Sequence, residues 1–482
     1  MNVKGKAFET PRRRGAEEKQ ERSALRRSGF SPTQARFKLS CRDKSRPTVF
    51  LGASASRRLV SIFLSICLSI FLGAASAAPL PEVVAKVLEA HPDVRSAAAL
   101  LRAADAAVWQ ARSEFLPTVG IQRSVGSSTD RPAGASSYSV TQSHRSESFL
   151  RWNLFNGYAD YYGKRSAEYS REAAGFDLEE SRDAVALRLT EIYVEVLRLS
   201  EQQRLAQEYV DDLQRLVQDV ELRAEAGRIP TVEVDQAKSQ LIAAESEQSQ
   251  QRAQLAAARN TYRQVIGSLP TDLHLPPLKE ALAEEALDAL LARAEDNSPR
   301  LKAARQRAAA RDADVGVASG AFLPTLSLET RRRVSASPAD NTLSDQAYSD
   351  ILQLSLQIPL GGKNYSRRRE QVEKKAAAEA DVDSKALQLR TDLGEQYANL
   401  TEARYMTPLL REKALSSFRV VAAYRLQFSA GRRTLLDLLS VRDQLYQSLS
   451  QKNANRYGRI VTSARLERYT GTLRTSLGTP KP

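Results

Sequence analysis

The sequence predicts a mostly α-helical protein with a membrane β-barrel, built from long helical hairpins that occur twice and from four strands per protomer. Three observations predict this fold class. The chain repeats its own pattern at a nearly constant offset, each repeat contains two segments with strand periodicity, and each repeat contains a long helical segment with almost no proline. An internal repeat of this kind indicates that one structural unit is present twice.

The repeat is visible in landmarks that recur at offsets of 207 and then 204 residues. The matched pairs are Pro92 with Pro299, Leu116-Pro117 with Leu323-Pro324, Tyr193 with Tyr397, and Gly227 with Gly431. An alanine-rich helix is expected to end at the residue before the proline of each Leu-Pro pair, because proline disfavours helical backbone in the residue before it. We predict a first repeat over residues 78–272, a linker over 273–294, a second repeat over 295–472 and a tail over 473–482.

Residues 1–77 differ in composition from the rest of the chain. They hold most of the formal net charge of +14, since the remaining residues are nearly balanced between basic and acidic side chains. This distribution argues against a nucleic-acid partner. An Arg-Arg pair, an apolar run and an Ala-Ser-Ala triplet follow one another over residues 57–77. That order predicts a secretory signal peptide cleaved after Ala77, with an uncleaved anchor as the alternative. Both cysteines, Cys41 and Cys67, lie in this leader.

Alternating polarity predicts two strands in each repeat. In DILQLSLQIPL, residues 350–360, leucine and isoleucine occupy every second position through Leu360 and polar residues fill most positions between them. Such a period of two is typical of a strand with one apolar and one polar face. The predicted strands are 118–125, 149–157, 325–333 and 350–360, and the predicted loops within the pairs are 126–146 and 334–348.

The two faces of these strands suit a barrel wall between lipid and an aqueous interior. Four strands cannot close a membrane barrel, so several copies of the chain would contribute to one. The residues predicted to face lipid are Leu150, Trp152, Leu154, Leu352, Leu354 and Leu356. The residues predicted to face the lumen are Arg151, Glu329, Arg331, Arg333, Gln353 and Gln357. A soluble antiparallel sheet packed on the helices is the alternative.

A long helical segment follows the second strand of each repeat. Over residues 158–226 and 363–430 apolar residues recur every three or four positions, and Pro408 is the single proline. Each segment predicts a helix, or a pair of collinear helices, on the order of 100 Å long. After Gly227 and Gly431 a second helical segment runs back, to about residues 267 and 471. We predict two long antiparallel hairpins that turn at these glycines.

Taken in order, these features resemble the TolC family of outer-membrane efflux and secretion ducts. The features are the signal peptide, the doubled order of helix, Leu-Pro, strand, loop, strand, long helix, glycine and helix, and the stretch GRRTLLDLL at 431–439. The resemblance covers essentially the whole chain after the leader. It implies a trimeric α/β-barrel duct, with one β-barrel in the outer membrane and a helical tunnel through the periplasm. It also implies that the linker and the C-terminal tail lie in a belt around the tunnel.

The resemblance further implies a passive duct. Its expected partners are two more copies of itself, a periplasmic adaptor protein, an inner-membrane ABC exporter or proton-driven pump, and outer-membrane lipid. Type I protein secretion is the expected use, since no lipidation cysteine follows the leader and Asn156-Gly157 supplies the turn from strand to helix. The alternative within the family is the outer-membrane component of a multidrug efflux pump. A periplasmic adaptor and a structural coiled-coil protein are alternatives of another class, and the doubled hairpin with strand pairs opposes both.

The two glycine turns are expected at the periplasmic tip, where the resemblance places the tunnel entrance. The residues assigned to this entrance are Gly227, Glu233, Phe428, Gly431, Arg433, Asp437 and Ser440. By resemblance, Arg433 joins the links that hold the tip shut and Asp437 projects an acidic ring into the constriction. Ser440 and Phe428 replace an acid and a tyrosine of the family's best-known member, which predicts a less acidic and less firmly latched entrance. By spacing alone, Thr434 and Asp437 fit a helix capping box, and that is the alternative role.

The histidines and glycines of the chain do not form a catalytic motif. His91, His144 and His274 are scattered and have no metal-ligand spacing, and Gly361-Gly362-Lys363 does not complete a phosphate-binding loop. We therefore expect neither enzyme activity nor a cofactor or metal.

Overall fold

The computed structural model describes residues 80–131, 133–134, 136–270, 273–275, 284–337 and 342–478. The predicted leader lies outside the described residues, as do parts of the predicted linker and tail. All described residues belong to one compact unit, Ala75–Pro482. Within the described ranges, no helix combines the length and the apolar character needed to cross a membrane.

The two repeats fold into the same order of elements, and each has two helices before its strands where the sequence predicted one. The first consists of α1 (Leu80–Ala90), α2 (Pro92–Ser113), β1 (Thr118–Asp130), β2 (Ser139–Asn156), α3 (Ala159–Glu225) and α4 (Thr231–Ile266). The second consists of α5 (Leu287–Asn297), α6 (Pro299–Gly320), β3 (Thr325–Ser337), β4 (Thr342–Ser355), α7 (Lys363–Ser429) and α8 (Leu435–Tyr469), followed by the short α9 (Leu473–Ser476).

Helices α2 and α6 begin with matched local chemistry. The backbone N–H of Asp93 donates to Nδ1 of His91, the residue before α2, at 3.2 Å. The backbone N–H of Leu301 donates to Oγ of Ser298, the residue before α6, at 3.4 Å. Each helix has proline at its first position, where a missing N–H costs nothing. His91 therefore serves as a helix cap.

Helices α3 and α7 are 67 residues each, and both lie within a residue of the predicted bounds. At a rise of about 1.5 Å per residue, each is about 100 Å long. They are continuous helices, so the alternative of collinear pairs is excluded. Pro408 lies inside α7 without ending it. Helices α4 and α8, of 36 and 35 residues, run back along them and complete the two predicted hairpins.

The four strands form one antiparallel sheet in the order β1-β2-β3-β4. The central pair, β2 with β3, joins the two repeats, because Arg151 lies opposite Glu329 and Trp152 opposite Leu328. Strands β1 and β4 are the edges of this sheet in the single protomer. The sheet continues directly into the long helices, since β2 is followed by α3 and β4 by α7.

The predicted strand limits were wrong in two respects. The predicted loops 126–146 and 334–348 are largely strand, because polar residues pair across these hairpins as readily as apolar ones. Conversely, β4 ends at Ser355, so Leu356 and Gln357 lie beyond the sheet. Pro359 has no N–H to donate to a ladder, and Gly362 adopts the left-handed conformation that starts α7, so regular pairing stops before them.

The core runs along the helices as separate apolar clusters. One gathers α1 around Leu189 of α3, one lies near the hairpin turns around Leu213 and Leu438, and one packs α5 against Leu393 of α7.

The matched tyrosines, Tyr193 and Tyr397, hold the segment between the repeats. The Tyr193 hydroxyl donates to the carbonyl of His274 and accepts from its N–H, both at 2.9 Å. The Tyr397 hydroxyl donates to the carbonyl of Glu285 at 3.1 Å.

Candidate functional site

The hairpin turns at Gly227 and Gly431 have the same backbone structure. Gly227 has φ +68° and Gly431 has φ +67°, a left-handed conformation that favours glycine. Two hydrogen bonds close each turn. They run from the N–H groups of Arg228 and Gly227 to the carbonyls of Arg223 and Ala224, and from those of Arg432 and Gly431 to the carbonyls of Gln427 and Phe428. Both turns are Schellman motifs, which satisfy the last carbonyls of the long helix.

The two turns differ in how the returning helix begins. In the second turn the N–H of Asp437 donates to Oγ1 of Thr434 at 3.2 Å, and the N–H of Thr434 donates to Oδ2 of Asp437 at 3.3 Å. This confirms the predicted capping box. Hydrogen bonds from the side chain and then the backbone of Thr434 lower the pKa of Asp437, and the charge of Arg433 adds to the effect. In the first turn Pro230 precedes α4 and supplies no side-chain cap.

Both turns line one cleft, with a volume of about 590 Å³, at the hairpin end of the protomer. Its walls include Glu233 and Asp437 together with four arginines, Arg223, Arg228, Arg432 and Arg433. The guanidinium of Arg433 lies 4.5 Å from the ring centre of Tyr424 and its Nε donates to Gln427 at 3.2 Å. Its distance to the Asp437 carboxylate is 3.8 Å. Within one protomer, basic side chains therefore outnumber acidic ones in this cleft.

Phe428 and Ser440 occupy different environments. The ring of Phe428 is buried in the apolar cluster near the turns, and the guanidinium of Arg223 lies 5.1 Å from its centre. Ser440 lines a second cleft between α4 and α8, together with Gln240 and Asp443. Burial raises the pKa of Asp443. The structure thus brings Glu233, Phe428, Arg433 and Asp437 together and places Ser440 farther along α8.

The predicted lumen residues of β2 and β3 share one face of the sheet and are joined by ion pairs. Arg151 Nε lies 3.0 Å from Glu329 Oε2, and Arg331 Nη1 lies 2.9 Å from Glu147 Oε1. Arg331 also contacts Glu329, and Arg333 lies 3.6 Å from Glu147. The register places Gln353 of β4 on this face as well, opposite Ser327. Charged residues form a continuous ladder across the two central strands.

The opposite face carries the predicted lipid-facing residues. Leu150, Trp152, Leu352 and Leu354 lie on it, beside Val119 of β1 and Leu328 of β3. The Trp152 Nε1–H donates to the carbonyl of Phe115 at 2.9 Å, which ties this face to the end of α2. Leu154 departs from the prediction, because a bulge between Asn153 and Phe155 leaves it without a residue opposite in β3. Leu356 is exposed, but it lies past the end of β4.

The sequence of the chain matches the model of a known protein family over most of its length. The model of the family described as "Outer membrane efflux protein" matches residues 83–268 and 290–472. The chain belongs to this family. It is therefore an outer-membrane transport channel of the efflux type rather than an enzyme. No group of three or more His, Cys, Asp or Glu residues in the described part of the chain could hold a metal ion.

Individual relatives of this outer membrane efflux protein agree with that assignment. It is 23% identical to outer membrane protein TolC of Vibrio cholerae, over 86% of this chain and 96% of the relative. It is 27% identical to the pyoverdine export outer membrane protein OpmQ of Pseudomonas putida, over 79% and 83%. It is 26% identical to the alkaline protease secretion protein AprF of Pseudomonas aeruginosa, over 32% of each chain. The fold of the outer-membrane channel OprN is similar, with a TM-score of 0.74, 20% identity and coverage of 81% and 89%.

Several residues of these sites were missed by sequence reasoning. Glu147 completes the ion-pair ladder but precedes the predicted start of its strand. Arg228 and Arg432 line the tip cleft from equivalent positions directly after the two glycines. The repeated Ala-Gly-Arg triplet carried that signal, because it places an arginine directly after the left-handed glycine of each turn.

Proposed function

We propose that this outer membrane efflux protein works as a homotrimeric exit duct, in which strands from three protomers close one barrel and the helical hairpins form a tunnel through the periplasm. The observation that carries the proposal is the direct continuation of a four-stranded sheet into helices of 67 residues. A length of about 100 Å is far more than the bilayer needs, so the helices extend well beyond it.

The open edges of the sheet support assembly from several copies. Strands β1 and β4 each pair on one side only within the protomer. In a bilayer the unpaired backbone groups of such an edge cost several kcal/mol each, so β1 of one copy is expected to pair with β4 of the next. Barrels in the outer membrane have at least about eight strands, and three copies of four strands exceed that number.

The duct is passive, and its energy comes from partners. We assign these as a periplasmic adaptor protein and an inner-membrane transporter, either an ABC exporter or a proton-driven pump. The tip cleft between the two turns lies at the far end of the helices from the sheet, where such partners would meet the duct. In a trimer, Arg433 and Asp437 of each protomer line the entrance, and Asp437 forms an acidic ring around the threefold axis.

The acidic ring is tested by single-channel conductance. Divalent cations on the periplasmic side are expected to block the wild-type channel, and Asp437→Asn is expected to reduce that block. Ser440→Ala is the matched control, because it lies one turn farther along α8 and carries no charge. Equal cation block in the wild type and the Asp437→Asn variant contradicts the ring.

The substrate is the second part of the proposal. We assign protein substrates delivered by a type I secretion system, supported by the protease secretion relative AprF and by the Asn156-Gly157 turn. Small-molecule efflux is the second candidate, favoured by OpmQ, a pyoverdine exporter that matches a much larger share of the chain. Deleting the gene separates them. Loss of a protein from the culture medium supports secretion, whereas unchanged secreted proteins with raised sensitivity to toxic compounds support efflux.

Assembly is tested on the purified protein. An outer-membrane fraction is expected to yield a trimer in mild detergent that converts to a monomer on heating. Channel activity in planar bilayers is expected of the trimer alone. Recovery of the full-length protein as a soluble periplasmic monomer would contradict the duct and would favour a periplasmic adaptor or a structural coiled-coil protein.

A further inference from the structure

The apolar face of the sheet changes character part of the way along the strands. The strand register groups its residues into rows across the sheet. Counting away from the helices, one row contains Trp152, Leu328 and Leu352. The row above it contains Val119, Leu150, Thr330 and Asp350. The next two rows contain Ile121, Ser148, Arg332 and Tyr348, and then Arg123, Ser146, Val334 and Gln346. Two arginines therefore enter the apolar face at its end away from the helices.

The apolar part of the face begins below the two arginines and continues past the end of the sheet. Past the end of β4, the exposed Leu356, Ile358 and Leu360 continue the apolar surface toward the helices. Within the sheet, from Leu354 up to Tyr348, the face spans roughly 20 Å along the strand, which a tilt of about 45° reduces to roughly 14 Å along the membrane normal. The apolar band of such barrels is about 25 Å tall. Arg332 and Arg123 thus lie at the upper boundary of the band, level with the headgroups of the outer leaflet.

The surroundings of the two arginines favour an anion. Arg332 and Arg123 are exposed, and no carboxylate lies opposite either of them in the strand register. The Arg332 guanidinium lies 5.3 Å from the ring centre of Tyr348, which fixes its direction along the sheet surface. Asp350, one row lower on the same face, accepts a hydrogen bond from Thr330 Oγ1. The face therefore carries a net positive charge at its upper boundary.

We propose that Arg123 and Arg332 bind the phosphate groups of the phosphorylated glycolipid in the outer leaflet, with Tyr348 packing against its sugar. Guanidinium groups pair with phosphate through two parallel hydrogen bonds. The arginines lie two strands and one row apart, so their Cα atoms are separated by roughly 12 Å. A disaccharide that carries one phosphate at each end has a comparable span. The site rests on the proposed duct, because that assembly turns this face toward lipid.

The chain offers a matched control for this site. Arg145 of β2 is one residue from Ser146 and thus at the same height as Arg123, but the register places it on the opposite, lumen-facing side of the sheet, beside Ser124 and Ser335. It is also exposed. Arg145→Gln therefore removes an arginine at the same height from the lumen-facing side of the sheet, which is not part of the proposed site.

The experiment uses the full-length trimer in detergent, incubated with lipid A that carries both phosphates or neither, and measures bound lipid by native mass spectrometry. The wild type and Arg145→Gln are expected to bind the phosphorylated form. The double variant Arg123→Gln/Arg332→Gln is expected to bind it on the order of 10- to 100-fold more weakly. Arg123→Lys/Arg332→Lys is expected to recover part of the affinity. Excess inorganic phosphate is expected not to displace the lipid, since it lacks the sugar and acyl contacts.

Two results overturn the site while leaving the duct intact. Equal binding of phosphorylated lipid A by the wild type and the double glutamine variant removes the arginines from recognition. Equal binding of the phosphorylated and dephosphorylated forms by the wild type would show that the site does not recognise the phosphate groups. In both cases the heat-modifiable trimer is still observed. Absence of that trimer from the wild-type outer membrane contradicts the proposed function and this site together.

Discussion

Helices α3 and α7 occupy equivalent positions in the two repeats and have the same length, yet their environments differ. Twenty residues of α3 are buried, compared with six of α7. Helix α3 packs against α2, α4, α6 and α8, whereas α7 packs mainly against α6 and α8. Exposed apolar residues remain on α7, including Tyr405, Leu415, Phe418 and Leu426. One of two equivalent helices is thus packed within the protomer, whereas the other leaves apolar side chains exposed, which in the proposed trimer would face a neighbouring copy.

The largest difference is expected from truncating one large apolar residue on each helix. Leu213 of α3 is 1% exposed and Phe418 of α7 is 64% exposed. Leu213→Ala is expected to lower the free energy of unfolding by about 2–5 kcal/mol, since it leaves a cavity. Phe418→Ala is expected to change it by less than about 0.5 kcal/mol but to lower the temperature at which the trimer dissociates. Thermal melting by circular dichroism and unheated gel migration measure the two effects. A trimer unaffected by Phe418→Ala contradicts the assignment of this surface to a neighbouring copy.

A second contrast concerns the turns from strand to helix. Gly157 has φ +54°, and a Cβ on it would lie 2.3 Å from the carbonyl oxygen of Gly320. Its equivalent, Gly361, has no atom within 4 Å of that position. Gly157→Ala is expected to cost about 3 kcal/mol, from backbone strain and displacement of the end of α6, whereas Gly361→Ala is expected to be nearly neutral. Melting temperatures of the two variants decide this, and equal values would show that the α6 end can move freely.

The matched tyrosines provide the third comparison. Tyr193 is 1% exposed and makes two hydrogen bonds to the backbone of His274. Tyr397 is half-buried and makes one, to the carbonyl of Glu285. Tyr193→Phe removes two hydrogen bonds to the backbone of His274 and is expected to cost about 1–3 kcal/mol, compared with about 1 kcal/mol for Tyr397→Phe. Limited proteolysis of the segment between the repeats is an independent readout, and faster cleavage in the Tyr397 variant would reverse the ranking.

The smallest effect is expected at the capping box, which only the second turn has. Thr434→Ala is expected to destabilise the start of α8 by about 1 kcal/mol, whereas Thr231→Ala at the first turn removes no cap. The pKa of Asp437 is lowered in the folded protein. The Asp437 carboxylate therefore adds to the free energy of unfolding above the pKa of an unfolded aspartate, about 3.9. This stabilisation is lost as the pH falls through the lower pKa that Asp437 has in the folded protein. The difference in melting temperature between the wild type and Thr434→Ala should shrink below about pH 4, and a constant difference would exclude the Asp437 carboxylate from the cap.

The contrast between the helices also marks the limit of sequence reasoning about the fold. The lengths of α3 and α7 and the positions of their turns could be predicted, because helical periodicity and the glycines at 227 and 431 are local signals. The difference in burial could not, because it depends on which elements pack against each helix. The limits of β4 were missed because alternation continues to Leu360, while pairing ends at Ser355.

For the tip, the sequence by itself determined the two left-handed glycines and the capping box of Thr434 and Asp437, since each depends on residues within a few positions of one another. For the sheet, it determined which side chains share a face over most of β2, β3 and β4. Tertiary structure alone decided that Glu147 pairs with Arg331, that Arg223 and Arg433 meet in one cleft, and that Arg123 and Arg332 lie in adjacent rows. These contacts join residues far apart in the chain, so their geometry depends on strand register and helix packing, which no local pattern encodes.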